Sequence, residues 1–263
     1  MAIRPKKSLG QHFLNSEKAL CDIMTAASIS AGETILEIGP GTGVLTEKLL
    51  GTGAAVIAVE KDPRACDVLK EKFSGDIARG RLQLVHGDIL DNNLVPVASP
   101  YTIVANIPYY ITGAILEKFL EHGPRPDKMV IMVQKEVAER IISRDGKESI
   151  LSISVKAFGT PRMIAKVPRG AFIPPPEVDS AILAIEDISD RSFIQSGIAI
   201  DRFFKIVKAG FAHKRKFLIR NLEVVSSQDN LEKVWSKLNI KRDVRAENLR
   251  TEMWLDISAN LES

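Results

Sequence analysis

The stretch TILEIGPGTGVL, residues 34–45, reads as a buried strand, a glycine turn and the first turn of a helix. Its glycines are Gly39, Gly41 and Gly43. Glycine lets the backbone turn sharply and approach a ligand closely. A dinucleotide fold asks for G-x-G-x-x-G, and the third place here is held by Val44. The pattern is instead E-x-G-x-G-x-G. A helix N-terminus behind such a turn favours a negative group such as a carboxylate. Glu37, just before the turn, is unsuited to a pyrophosphate and suits a ligand that carries an ammonium.

Outward from this turn, short apolar runs alternate with amphipathic stretches. Strands are predicted at 34–38, 55–59, 82–85, 101–105 and 129–133, and helices at 16–28, 43–50, 63–73, 112–121 and 134–142. That rhythm specifies a parallel sheet with helices on both faces. After residue 150 one more helix is expected at 149–158. Two strands, 162–167 and 180–186, are joined by the proline-rich PRGAFIPPPEVDS. The acidic stretch EDISDRS, 186–192, reads as a linker, followed by helices at 201–222, 228–238 and 248–255.

The strand ends carry the chemistry. Glu60 ends the second strand, 21 residues after Gly39, where a carboxylate can accept both hydroxyls of a ribose. Asp88 ends the third and can accept the amino group of an adenine. Asn106 ends the fourth, opening ANIPYY (105–110). A ribose, an adenine and an amino acid without phosphate describe S-adenosylmethionine. In ANIPYY, Asn106 Oδ1 can accept the hydrogens of a planar amine, Pro108 fixes the turn, and Tyr109 can stack on a base. An adenine N6 needs such help because its lone pair is delocalised into the ring. Catalysis of that kind is positioning and electrostatics. A plain structural role for the turn is an Asx cap on the helix near Thr112.

The bulk numbers agree. A chain of 263 residues suffices for one large domain and a small one. Cys21 and Cys66, 45 residues apart, form neither a disulfide framework nor a zinc pattern, and the four histidines add no metal spacing. No metal is expected. No apolar run reaches about 18 residues, so no membrane span is expected. The basic start MAIRPKKSLGQ lacks the apolar core of a signal peptide. Residues 191–263 hold 14 Lys/Arg against 9 Asp/Glu, whereas residues 1–190 hold 22 against 24. A basic last quarter points to an acidic partner, most often nucleic acid. Lys214, Arg215, Lys216 and Arg220 cluster there in FFKIVKAGFAHKRKFLIRNL (203–222), read as one basic helix. Lys6 and Lys7 add charge at the other end.

KKSLGQHFL (6–14), EIGPGTGVLT (37–46), VEKD (59–62), GDIL (87–90), NIPYYI (106–111) and FIPPPEVDS (172–180) occur in this order. Together they closely resemble the ribosomal RNA adenine N6-dimethyltransferases, over about residues 3–225, and within them the small-subunit branch. The resemblance implies an α/β fold: a Rossmann-like S-adenosylmethionine-dependent methyltransferase sheet ending in an antiparallel strand, residues 1–188, with a small all-α RNA-binding C-terminal domain, residues 189–263. It implies transfer of methyl groups to two adjacent adenines near the 3′ end of small-subunit (16S) RNA in a pre-ribosomal particle, by a cytoplasmic monomer. The implied cofactor contacts are His12, Leu14, Gly39, Glu60, Asp88 and Asn106, with His12 acting through its backbone. The proline loop then gains a reading. Phe172 is expected to stack on the target adenine opposite Tyr109, its alternative being a place in the core. The competing readings are the large-subunit dimethylase, a non-catalytic assembly factor and a nicotinamide dehydrogenase, the last disfavoured by Val44.

Overall fold

The computed structural model describes residues 4–6, 9–91, 97 and 99–261. The chain divides into two compact units: Met1–Ala138 with Thr160–Ile188, and Glu139–Gly159 with Ser189–Ser263. The boundary expected from the sequence is a single cut after residue 188. The structure assigns 139–159 to the helical unit, because the chain leaves the sheet within one helix and returns after the next.

Among its described residues the first unit contains nine strands: β1 (Phe13–Leu14), β2 (Thr34–Ile38), β3 (Ala55–Glu60), β4 (Leu82–His86), β5 (Thr102–Asn106), β6 (Lys128–Gln134), β7 (Thr160–Val167), β8 (Phe172–Ile173) and β9 (Ser180–Glu186). Seven of them form one sheet in the order β4-β3-β2-β5-β6-β9-β7. The first five in that order are parallel, β9 alone runs antiparallel to them, and β7 pairs antiparallel with β9. Its helices are α1 (Glu17–Ala27), α2 (Val44–Gly51), α3 (Pro63–Lys72), α4 (Ser74–Ala78) and α5 (Thr112–Leu116), and α5 runs into a π-helical turn at Glu117–His122.

The apolar runs explain the layers. Val56, Ala58, Val104, Val130 and Met132 join Leu20 and Ile23 of α1 and Leu49 of α2 in one core. Their alternates along the strands, such as Leu36, Ile103 and Ile131, are equally buried, so the sheet is covered on both faces. The chain builds β2, β3 and β4 outward to one side, then returns to lay β5 against the other edge of β2. The carboxyl ends of β2 and β5 therefore flank the topological switch point, where open α/β sheets bind ligands.

Sequence reading did not anticipate the small second sheet. β1 pairs antiparallel with β8, Leu14 opposite Phe172 and Phe13 opposite Ile173. The N-terminal arm and the proline loop, distant in sequence, are thereby tied together.

The second unit is helical: α6 (Lys135–Ile141), which contains the unit boundary, α7 (Ile150–Lys156), α8 (Arg191–Ser196), α9 (Ile200–Gly210), α10 (Leu218–Leu222), α11 (Gln228–Lys237) and α12 (Thr251–Asn260). Part of the expected linker is α8, whose Phe193 is buried against Phe158 and Phe203. The single basic helix expected over 201–222 is two helices separated by a loop. Gly210 closes the first, where a Cβ would collide with the Trp254 ring and only glycine fits. Asn221 Nδ2 then donates to the carbonyls of Gly210 (2.6 Å) and His213 (3.1 Å), drawing the chain out of helical geometry. No helix of the described residues is long and apolar enough to cross a membrane.

Candidate cofactor cleft and active site

A cleft opens at the switch point. His12, Leu14, Gly39, Glu60, Asp88, Asn106, Pro108 and Tyr109 all line it, so the structure brings together every cofactor and turn residue named from the sequence except Phe172. Gly39 and Gly43 stand at φ 67° and 77°. Gly43 also faces Phe73 and Leu69, 2.6 and 2.8 Å from a hypothetical Cβ, so a side chain there would both strain the turn and collide with α3.

Glu60 is held in place by the backbone. One carboxylate oxygen accepts from Gly41 N–H (3.0 Å) and the other from Asp62 N–H (2.8 Å). Burial pushes its pKa up, and these two bonds offset part of that push. Each oxygen keeps a lone pair, which a vicinal diol could use. Asp62 is a buried partner that the sequence reading did not single out. It caps α3, pairs with Arg64 at 2.6 Å and accepts from Gln11 Nε2 at 3.0 Å. The Arg64 guanidinium holds its carboxyl well below the usual carboxylate range. VEKD and GQHFL are therefore joined directly, and Gln11 anchors the arm beside the cleft.

Glu37 is 1% exposed, and neither carboxyl oxygen has a hydrogen-bond partner. Thr46 lies close enough to act on the carboxyl without hydrogen-bond geometry, and its hydroxyl is unpartnered as well. Burial pushes the Glu37 pKa up to about 8, Thr46 relieves part of this, and the Glu60 charge adds to it. A buried acid with two orphaned oxygens on a cleft wall fits a ligand ammonium. The free protein binds this proton more tightly than the unfolded chain does. The resulting stability is fully present below about pH 4.5 and is lost as pH rises to about 8. Glu37→Gln is thus expected to stabilise the free protein by about 2–4 kcal/mol at pH 8 and by little at pH 4.5. Thermal melts of both proteins across that range measure it, and parallel pH curves would contradict it.

Asp88 is engaged at both oxygens, by Leu90 N–H (3.0 Å) and by Lys61 Nζ (2.7 Å). The Lys61 ammonium lowers its pKa. The pair is largely exposed and weak, so an adenine amino group can share the carboxylate with it.

In the Asn-Ile-Pro-Tyr turn, Asn106 Nδ2 donates to the His12 carbonyl at 3.2 Å. With the amide nitrogen tethered, Oδ1 is the atom free to accept. Tyr109 shares a 2.5 Å hydrogen bond with Ser180, the buried serine that closes FIPPPEVDS. Burial raises the phenol pKa, partly offset by that bond. Ser180 is a second residue the sequence reading passed over, although its motif contained it.

Phe172 requires a correction. It is 2% exposed and belongs to the core with Leu14 and Val167. Pairing with β1 turns Phe172 inward and Ile173 outward, as the two-residue period of a strand requires. The Phe172 ring does not line the cleft. The ring beside Tyr109 is instead His12, nearly parallel at 15° with centroids 6.1 Å apart, its Nδ1 donating to the Pro174 carbonyl at 2.8 Å. The loop thus acts on the site through Pro174 and Ser180.

Lys214, Arg215 and Lys216 are exposed on the loop between α9 and α10, not on a helix. Arg220 is exposed on α10 and paired with Glu223 at 2.7 Å. Lys6 is exposed, and Lys7 lies outside the described residues. Away from the cleft, Glu117, Glu121 and His122 bring metal-ligating atoms together on the π-turn, and no feature there points to an ion.

The fold and cleft define a Rossmann-like, S-adenosylmethionine-dependent methyltransferase. The chain belongs to the ribosomal RNA adenine dimethylase family, whose profile matches residues 3–263. It is 42% identical over 257 residues to the ribosomal RNA small subunit methyltransferase A of Dehalococcoides mccartyi, covering 96% of this chain and 87% of that one. It is 40% identical to the protein of the same name from Trichormus variabilis, covering 98% of both. Among solved structures, a dimethyladenosine transferase from Plasmodium falciparum superposes with a TM-score of 0.79 at 30% identity, covering 94% of this chain and 96% of that one. The 23S rRNA methyltransferase ErmE superposes at 0.74 with 26% identity, covering 95% and 99%.

Proposed function

We propose that the chain transfers methyl groups from S-adenosylmethionine to N6 of two adjacent adenines in the 3′-terminal hairpin of small-subunit (16S) rRNA, within a pre-ribosomal particle. It does so as a cytoplasmic monomer. The observation that carries this reading is the tethered Asn106: its amide nitrogen is fixed on the arm, so Oδ1 is presented at the cleft wall beside Tyr109.

S-adenosylmethionine supplies an electrophilic sulfonium methyl. Glu60 would hold the ribose, Asp88 the cofactor's adenine amine, and Glu37 the ammonium. His12, Leu14 and Gly39 complete the wall. Asn106 Oδ1 accepts a hydrogen of the target N6, drawing the nitrogen toward a pyramidal shape with its lone pair aimed at the methyl. Pro108 fixes the angle of that acceptor. Tyr109, its hydroxyl held by Ser180, offers the plane for the base. No strong base is required, because a methylated aryl ammonium gives its proton to water readily. The selectivity rests on geometry held before the substrate arrives.

The exposed cations Lys6, Lys214, Arg215, Lys216 and Arg220 contact phosphates, giving affinity and register but no base readout. Lys7 is assigned with them from its place in the sequence. Splayed, single-stranded adenines in a shaped RNA suit such a surface.

Calorimetric titration tests the cofactor assignment. S-adenosylhomocysteine is expected to bind, NAD not to bind, and Glu60→Ala to weaken S-adenosylhomocysteine by about 10- to 100-fold through loss of a charged hydrogen-bond pair. Wild-type affinity in the variant would refute the role of Glu60.

A further inference from the structure

The helical unit carries an unusual loop after α9. Residues 212–217 are all exposed, and five of them are His213, Lys214, Arg215, Lys216 and Phe217. Phe217 is 46% exposed. A lone exposed phenylalanine is ordinary. This one follows three consecutive cations on a segment anchored at both ends.

Both ends of the loop are pinned. Phe211 stacks on Trp254 with centroids 5.5 Å apart and planes 22° apart. Leu218 is fully buried and its N–H donates to the Val244 carbonyl at 2.8 Å. Between them, the buried Asn221 amide clamps the Gly210 and His213 carbonyls, and Lys216 N–H closes a turn onto His213 at 3.0 Å. These contacts reduce the backbone freedom that the loop would lose on binding. A half-exposed phenylalanine also forgoes part of its burial energy.

The charges narrow the occupant. An apolar protein surface seated on Phe217 would strip water from three cations without compensation. A polyphosphate strand compensates them. Duplex RNA hides its base faces, so the occupant that satisfies both the cations and the ring is an unpaired base flanked by phosphates.

We propose that Phe217 is a stacking platform for an unpaired base of the RNA substrate, with Lys214, Arg215 and Lys216 on the adjoining phosphates and Asn221 positioning the loop. This rests on the reading of that loop as an RNA-binding surface. From here the roles separate: the cations set the salt dependence, and Phe217 sets the preference for single strands.

The test compares full-length wild type, Phe217→Ala and Phe217→Trp. Affinities are measured at several salt concentrations for small subunits lacking the modification, for a single-stranded oligoadenylate and for an RNA duplex of equal length. Melting temperatures check that the variants fold. Phe217→Ala is expected to bind the subunits and the single strand about 5- to 100-fold more weakly, with the wild-type salt slope and unchanged duplex affinity. Phe217→Trp is expected to restore binding. Equal affinity of Phe217→Ala and wild type for the single strand would overturn the proposal, as would an equal loss on the duplex. A change of oligomeric state in Phe217→Ala would overturn it too, by making the patch a contact between copies. Failure of wild type to bind any of the RNAs in a salt-dependent way would instead refute the RNA-surface reading beneath it.

Discussion

Asn106→Ala is expected to lower turnover by about 10²–10³-fold while S-adenosylhomocysteine still binds. The amide does two jobs. Nδ2 ties the β5 end to the His12 carbonyl, and in the proposed mechanism Oδ1 accepts from the substrate amine. Removing it deletes an acceptor whose bond strengthens as the amine nitrogen pyramidalises, so the loss falls on the chemical step rather than on cofactor affinity. Single-turnover methyl transfer at saturating cofactor and RNA reads that step directly. Asn106→Asp separates the two jobs: it keeps an acceptor and loses the tether donor. Turnover unchanged in Asn106→Ala would remove the amide from the mechanism. A loss explained wholly by cofactor affinity would make it a wall residue only.

Reversing Lys214, Arg215 and Lys216 to glutamate is expected to weaken RNA binding by about 10³-fold at low salt. It should also reduce the slope of log affinity against log salt by about 2–3. The reason is counterion release: each cation withdrawn from a phosphate leaves one fewer ion to liberate. The three residues are exposed and their loop is pinned from beneath by Phe211, Leu218 and Asn221, so their reversal leaves the fold standing. Cofactor titration of the same variant serves as the control and should match wild type. A salt slope equal to that of wild type would show that the loop does not meet phosphate.

The legible parts of the molecule were those set by local periodicity. Apolar runs at 34–38 and 180–186 became β2 and β9 with the expected ends, and the polar residues at the carboxyl ends of β2, β3, β4 and β5 meet in one cleft. Parallel strands put all their carboxyl ends on one edge, so residues at strand ends converge without any long-range information. What local pattern did not carry was pairing between distant segments. β1 and β8 are two residues each, too short to show a period, and their pairing decides that Phe172 points into the core. The break at Gly210 was hidden for the same reason. The helical pattern runs on through 211–217, whereas in the fold the Asn221 amide, from the next helix, takes the Gly210 carbonyl. The assignment of 139–159 to the helical unit likewise depends on partners far along the chain, such as Glu247, which bonds to Lys147 at 3.0 Å. Ser180 and Gln11 lay inside quoted motifs. Their roles as anchors for Tyr109 and for the arm follow from contacts that span 71 and 51 residues.

Nucleoside mass spectrometry tests the central claim most directly. The protein is incubated with S-adenosylmethionine and small ribosomal subunits lacking the modification, with large subunits treated in parallel. The account predicts N6,N6-dimethyladenosine in the small-subunit RNA alone, mapping to two adjacent positions near its 3′ end. The mark in large-subunit RNA instead, or no mark in either from protein shown to bind the cofactor, would contradict it.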